Sequence, residues 1–262
     1  MLLSLPFKTM QSSLTPRLLA LLMAASALAA TPDAQARKPK AKQPAATVAP
    51  AVDAVKRPDF GTEKPSKDAL QVASWVLNAN DNEGSSFVIV DKHAARTYVF
   101  TPEGKLRGAA PVLLGLTKGD ETYPGVGDRE LSNIAANERT TPAGRFVAEP
   151  GVNGHGVDIV WVDYEAAVSM HRVITNNPAE RRLQRLASSK PAEHRISYGC
   201  INLPAAFYEN VLAPTVRDSD TIIYVLPETQ SPAELFGFKD GGKNKAPQTV
   251  PKVASAFYLD GA

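Results

Sequence analysis

Cysteine occurs once in the 262 residues, at position 200. One cysteine closes no disulfide within a chain, so Cys200 is a reactive thiol, half of an intermolecular bridge, or a bystander. An excess of charge of either sign is also lacking: 29 Lys and Arg against 27 Asp and Glu leave a formal net charge of +2. That is too little to grip a phosphate backbone, and no nucleic acid is expected as a partner. One cysteine and four scattered histidines provide no metal-ligand spacing, so neither a metal nor another cofactor is expected. Beyond residues 18–30 no long apolar run is present, and that run falls short of the ~20 residues a membrane-spanning helix needs.

What the N-terminal run does resemble is an export signal. Lys8 and Arg17 supply the positive end, residues 18–30 the apolar core, and Ala34-Gln35-Ala36 a small-x-small cleavage site. The expectation is a signal peptide over 1–36, with an uncleaved anchor as the alternative. No cysteine lies near the cleavage site, which excludes a bacterial lipid anchor. The mature protein is expected to be soluble, periplasmic and monomeric. Residues 37–65 are rich in Pro, Ala and Lys and read as a flexible linker. Its basic start (37–44) is a solvated stretch, or one weakly drawn to an anionic surface.

Ser66 has the position of an N-cap, and apolar residues from Ala69 to Leu77 recur at helical spacing, which predicts a helix over 67–78. Strands are expected at 86–91, 96–101 and 106–116, joined by short turns and therefore antiparallel neighbours. Residues 117–140 form a long polar insertion of the kind that is functional or mobile. Further strands are expected near 144–146, at 157–162, 166–173 and 221–226, with helices at 179–187 and 205–212. Residues 229–262 turn rich in Pro, Gly, Lys and Gln and read as a low-complexity C-terminal tail. The fold class expected for 66–228 is mostly β with peripheral helices (α+β).

A thiol attacks as its thiolate, so a nucleophilic cysteine needs a base or a positive local field. Of the histidines, His93 lies in a turn, leaving His155, His171 and His194. His171 sits in an apolar strand, and a base works best on a rigid element. The alternative for a histidine in such a strand is a packed core residue. Gly199 lets the backbone turn sharply before Cys200, and the N–H groups of Gly199 and Cys200 can point at a developing oxyanion. The alternative is an ordinary turn before a helix.

Ser197, Gly199, Cys200, Ile201 and Asn202, with His171 upstream, together resemble the signature of the L,D-transpeptidases, the YkuD-type catalytic domain of bacterial cell-wall enzymes. The family's T-P-x-G-x-F turn is matched by Thr141-Pro142-Ala143-Gly144-Arg145-Phe146, and the resemblance covers about residues 85–227. Three features depart from the family pattern. Tyr198 stands where a histidine is usual, Arg172 replaces a small residue, and the gap from His171 to Cys200 is lengthened by an arginine-rich insertion over 176–193. The resemblance implies a β-sandwich-like catalytic domain acting on peptidoglycan stem peptides. Cys200 would form a thioester with a tetrapeptide stem, release D-Ala and pass the acyl group to an amine, giving a 3→3 cross-link. His171 would be the base, oriented by the Arg172 carbonyl. Ser197, Tyr198, Gly199 and Asn202 would surround the nucleophile, and Arg195 or the inserted arginines would hold stem carboxylates, unless those arginines form only a solvated face. An L,D-carboxypeptidase or related cysteine hydrolase, and an inactive wall-binding domain, are the alternatives.

Overall fold

The computed structural model describes residues 55–239. The expected signal peptide, most of the linker and the last part of the tail lie outside them. Among the described residues no helix is long and apolar enough to cross a membrane.

The chain is mostly β with peripheral helices. Helix α1 (Lys67–Ala79) begins where Ser66 accepts a hydrogen bond from the Ala69 N–H, and stops at Asn80, which adopts the left-handed conformation. Strands β1 (Ser86–Asp91), β2 (Arg96–Phe100) and β3 (Leu106–Pro111) follow as antiparallel neighbours. The expected third strand breaks after Pro111 and resumes as the short β4 (Leu114–Gly115). After the 117–140 segment come β5 (Gly144–Val147), β6 (Glu149–Val152), β7 (Asp158–Asp163) and β8 (Val168–Arg172). Helix α2 (Arg182–Leu186), β9 (Arg195–Ser197) and β10 (Ile201–Leu203) bracket the site. A helical stretch joins α3 (Ala205–Phe207) to α4 (Ala213–Asp218) through a π-helical turn at Tyr208–Leu212. Strand β11 (Thr221–Val225) and helix α5 (Pro232–Phe236) end the described chain.

Five strands form one sheet in the order β3-β2-β1-β11-β5, and four form a second, β10-β8-β7-β6. A two-stranded pair, β4-β9, links them beside the site. Side chains alternate across a strand, and β1 uses both faces: Val88 and Val90 enter the core shared with the second sheet, while Phe87 and Ile89 pack with α1. The late strand β11 is interior to the large sheet and runs parallel to β1, with Val88 opposite Ile223.

Four features differ from expectation. The end of the expected linker is packed: Phe60 is buried, and the Asp59 backbone bonds to Gly104 and Leu106. The expected tail begins with structure. Ser231 and Glu234 make a reciprocal cap for α5, and Phe236 and Phe238 stack on Trp75. The 117–140 segment is folded into short 3₁₀ turns, with Val126 and Ile134 in the core and Arg129 forking onto Glu138. The expected helix at 179–187 is split, because Arg181 takes a left-handed conformation between a 3₁₀ turn and α2.

Candidate active site

Strand pairing brings the distant residues together. β10 runs parallel to β8, with Ile201 opposite Met170, Asn202 opposite His171 and Leu203 opposite Arg172. Met170, Ile201 and Leu203 enter the core between the sheets. By alternation Ser169, His171 and Asn202 then face the other way. Cys200, half-buried, sits at the mouth of β10 against this row. Its sulfur lies 3.7 Å from Ser169 Oγ and 3.5 Å from the Ala167 carbonyl oxygen.

His171 Nδ1 lies 2.7 Å from the Arg172 carbonyl oxygen. A carbonyl only accepts, so Nδ1 carries the proton and Nε2 is left with its lone pair. Burial pushes the Cys200 thiol up. The neighbouring His171 imidazole, helped by Ser169, outweighs that effect and holds the thiol below its ordinary value. The Asn202 Nδ2 group lies 3.3 Å from His171 Nε2 and 3.3 Å from the Cys200 carbonyl oxygen. Its orientation is set from outside, since Asn202 Oδ1 accepts a hydrogen bond from Arg182. Arg182 also pairs with Glu180, so one of the inserted arginines supports the site rather than facing solvent.

The turn before the thiol is held on both sides. Ser197 Oγ donates to the Cys200 carbonyl at 2.6 Å and accepts from the Gly199 N–H at 3.1 Å. The Gly199 carbonyl accepts from Thr141 Oγ1 at 2.7 Å. Glycine is required here: φ is +136°, and a Cβ would sit 2.8 Å from the Thr140 carbonyl oxygen. In a trans peptide the carbonyl and the following N–H point in opposite directions. Anchoring the Gly199 carbonyl on Thr141 therefore turns the Cys200 N–H the other way, and it has no acceptor among the described residues. The expectation that the Gly199 N–H is also free for an oxyanion is corrected, because Ser197 occupies it.

Behind the turn lies a buried set of charges. Lys92 Nζ donates to Asp120 and to the Thr141 carbonyl, both at 2.8 Å, and lies 3.7 Å from Glu228. Burial pulls the Lys92 ammonium below the usual lysine range, and the two carboxylates only partly restore it. Burial would raise the Asp120 carboxyl. Hydrogen bonds from Lys92, the Thr229 hydroxyl and the Glu228 and Thr229 N–H groups overcome that and hold it at about 2.

Arg195 belongs to this set, which corrects its expected role on substrate. Its guanidinium is buried, paired with Glu228 and bonded to the Lys92 carbonyl at 3.0 Å, so it has no free fork for a stem carboxylate. The Arg172 side chain points outward to Asp158 and Glu209, leaving only its carbonyl at the site. The Tyr198 ring lies under the Arg139 guanidinium, 4.1 Å from its centroid, and packs on the core. His194 is buried with both ring nitrogens on backbone carbonyls, and His155 is exposed. Neither faces the thiol in any recorded contact. Ser169 escapes the sequence reading, as do the contacts of Thr141 with Gly199 and of Arg182 with Asn202. The alternation Val168-Ser169-Met170-His171 carried the signal for Ser169; Thr141 and Arg182 act across long separations. Among the described residues no group of three or more His, Cys, Asp or Glu is placed to hold a metal ion.

No protein-family model matches the chain, and no curated protein does. Solved structures do match in part. The helical cell shape determining protein Pgp2 from Campylobacter jejuni aligns at 15% identity over 56% of this chain and 49% of that one, with a TM-score of 0.38. The catalytic domain from the E. faecium L,D-transpeptidase aligns at 16% identity over 55% of this chain and 98% of that one, with a TM-score of 0.31. The chain thus spans about half the length of the Campylobacter jejuni protein. Likeness this distant says nothing of what the chain does, and the chemistry rests on its own side chains.

Proposed function

We propose that the chain is a cysteine acyltransferase of the L,D-transpeptidase kind, acting on peptidoglycan stem peptides outside the cytoplasm. The observation that carries this reading is the His171 hydrogen bond to the Arg172 carbonyl, which leaves Nε2 as a base beside a thiol of lowered pKa. In the reaction, the Cys200 thiol gives its proton to His171 Nε2, and the thiolate attacks the carbonyl of the third stem residue. The Cys200 N–H donates a hydrogen bond to the developing oxyanion. The imidazolium gives its proton to the leaving D-Ala, and a thioester remains. An amine from a second stem then attacks the thioester, its proton passes to His171, and the C–S bond breaks. The signature around His171 and Cys200 and the Thr141 turn supports the substrate class. The apolar run and small-x-small site near the N-terminus support export to the periplasm.

Incubating the full chain with tetrapeptide-containing muropeptides, followed by mass spectrometry, tests the reading. A cross-linked dimer is expected. Tripeptide alone would make the protein an L,D-carboxypeptidase, and unchanged substrate would make it a wall-binding domain. The Cys200→Ala protein is expected to fold normally and give no product.

A further inference from the structure

Two residues besides His171 reach the Cys200 sulfur, and they are of opposite polarity. The Ala167 carbonyl oxygen lies 3.5 Å away and Ser169 Oγ 3.7 Å away. Ala167 closes the β7–β8 turn in a left-handed conformation, φ +51°, with its N–H on the Tyr164 carbonyl, so its own carbonyl has a fixed direction. Ser169 sits inside β8, opposite Trp161 of β7, and is only 5% exposed. His171 is the titratable side chain that bears on the sulfur; Ala167 and Ser169 carry no charge.

The direction of the serine bond follows from counting protons. The Ser169 hydroxyl has no partner but the sulfur among the described residues. A thiol carries one proton, and the Ala167 carbonyl and His171 Nε2 both only accept. The thiol proton goes to one of those acceptors, so the Ser169 hydroxyl is the donor to sulfur. In the thiolate the two neighbours oppose each other: the carbonyl dipole repels the anion, and the serine bond becomes charge-assisted and stronger. In a thioester the sulfur is uncharged and a weak acceptor, so both effects fade. Ser169 therefore holds the sulfur most tightly when no acyl group is on it.

We propose that Ser169 is a catalytic residue of thioester breakdown, its hydroxyl holding the sulfur as the departing thiolate. The breakdown step rests on the thioester reading above; the hydroxyl–thiolate contact does not. The nitrogen of the attacking free amine bonds to the thioester carbon, and one of its protons goes to His171 Nε2. The C–S electron pair returns to sulfur, where the Ser169 hydroxyl donates a hydrogen bond and gives up no proton. A less basic sulfur is a better leaving group and a weaker nucleophile. The one contact thus speeds release of the acyl group and restrains the attack of the free thiolate.

Ser169→Ala removes one oxygen and keeps the strand pairing. The full chain and this variant are first alkylated with iodoacetamide across pH, which needs no enzyme substrate. Loss of one hydrogen bond to the anion is expected to raise the midpoint by about one pH unit. Nucleophilicity follows basicity with a slope of about 0.4–0.5. The variant should therefore react about threefold slower well below the midpoint and about threefold faster on the high-pH plateau. A variant that is equal or slower on the plateau overturns the proposal, since mere disturbance of the site would slow both limbs.

The second measurement follows the thioester by intact mass, with both proteins on tetrapeptide muropeptides at a pH on the alkylation plateau. In Ser169→Ala, thioester formation should quicken about threefold and breakdown slow about threefold, so the ratio of thioester to free thiol rises about tenfold. Breakdown as fast as in the wild type overturns the role in release. A wild type that forms no thioester overturns the transfer reading and the release step with it, while the alkylation limbs still decide for or against the hydroxyl–thiolate contact.

Discussion

Thr141 Oγ1 donates to the Gly199 carbonyl at 2.7 Å while accepting the Gly115 N–H at 2.8 Å, so one hydroxyl fixes the peptide that precedes the nucleophile. Both partners are buried backbone groups, and neither has room for a substitute. Thr141→Val, which keeps the shape, is expected to lower stability by about 1–3 kcal/mol through two unmet hydrogen bonds. It is also expected to lower kcat by about a hundredfold as the Cys200 N–H loses its direction. Thr141→Ser should restore most of both. Steady-state kinetics with denaturant titration checks this; a Val variant that is weakened in stability but unchanged in kcat denies Thr141 a part in catalysis.

The thiol titrates below an ordinary cysteine, and the sign of the effect is testable without substrate. Thiolate increases with pH, so alkylation of the full chain by iodoacetamide should reach half its maximal rate below the ~8.5 of a free cysteine. In His171→Ala only Ser169 still opposes the effect of burial, and the midpoint should move upward. A midpoint that does not move on removing the imidazole would separate the two side chains chemically.

Acid should attack the buried charges behind the turn. The Asp120 carboxyl titrates at about 2 in the folded chain, against an ordinary 3.8. A depressed value means the contribution is full above the unfolded pKa and is lost as pH falls through the folded one. Stability should therefore fall by roughly 2 kcal/mol between about pH 4 and pH 2 on this account. Urea denaturation across that window in the wild type and in Asp120→Asn measures it; the variant should start less stable and show a shallower acid slope.

The C-terminal segment should contribute to stability, not merely trail from the domain. Phe238 stacks on Trp75 with centroids 5.0 Å apart, and both are buried. Phe238→Ala is expected to cost about 3 kcal/mol. Thermal unfolding followed by tryptophan fluorescence would show it; an unchanged midpoint would mean the Phe238 contact is dispensable.

What could be read from the sequence was what neighbouring residues decide. Ser66 and the period of Ala69, Val72, Ala73 and Val76 marked α1, and Phe87-Val88-Ile89-Val90 marked a strand. What escaped depends on pairing at long range. Nothing near Arg195 shows that Glu228 will meet it, and nothing near Arg182 shows that it reaches Asn202. The tail was misjudged because its Pro, Gly and Lys content masks the short run Ser231-Pro232-Ala233-Glu234-Leu235-Phe236, which caps and buries itself. The 117–140 segment hid its core residues because 3₁₀ turns impose neither of the two periods that betray helices and strands.

Strand β11 is made late, yet it lies between β1 and β5. Until residue 225 has left the ribosome, the large sheet lacks the strand that joins β1 to β5, and the two strands that will flank the gap each offer a bare hydrogen-bonding edge. Nascent or truncated chains ending before that point are thus the sticky species, prone to pair with one another, and a chaperone that shields β1 during synthesis would protect the yield of finished protein more than any change at the thiol.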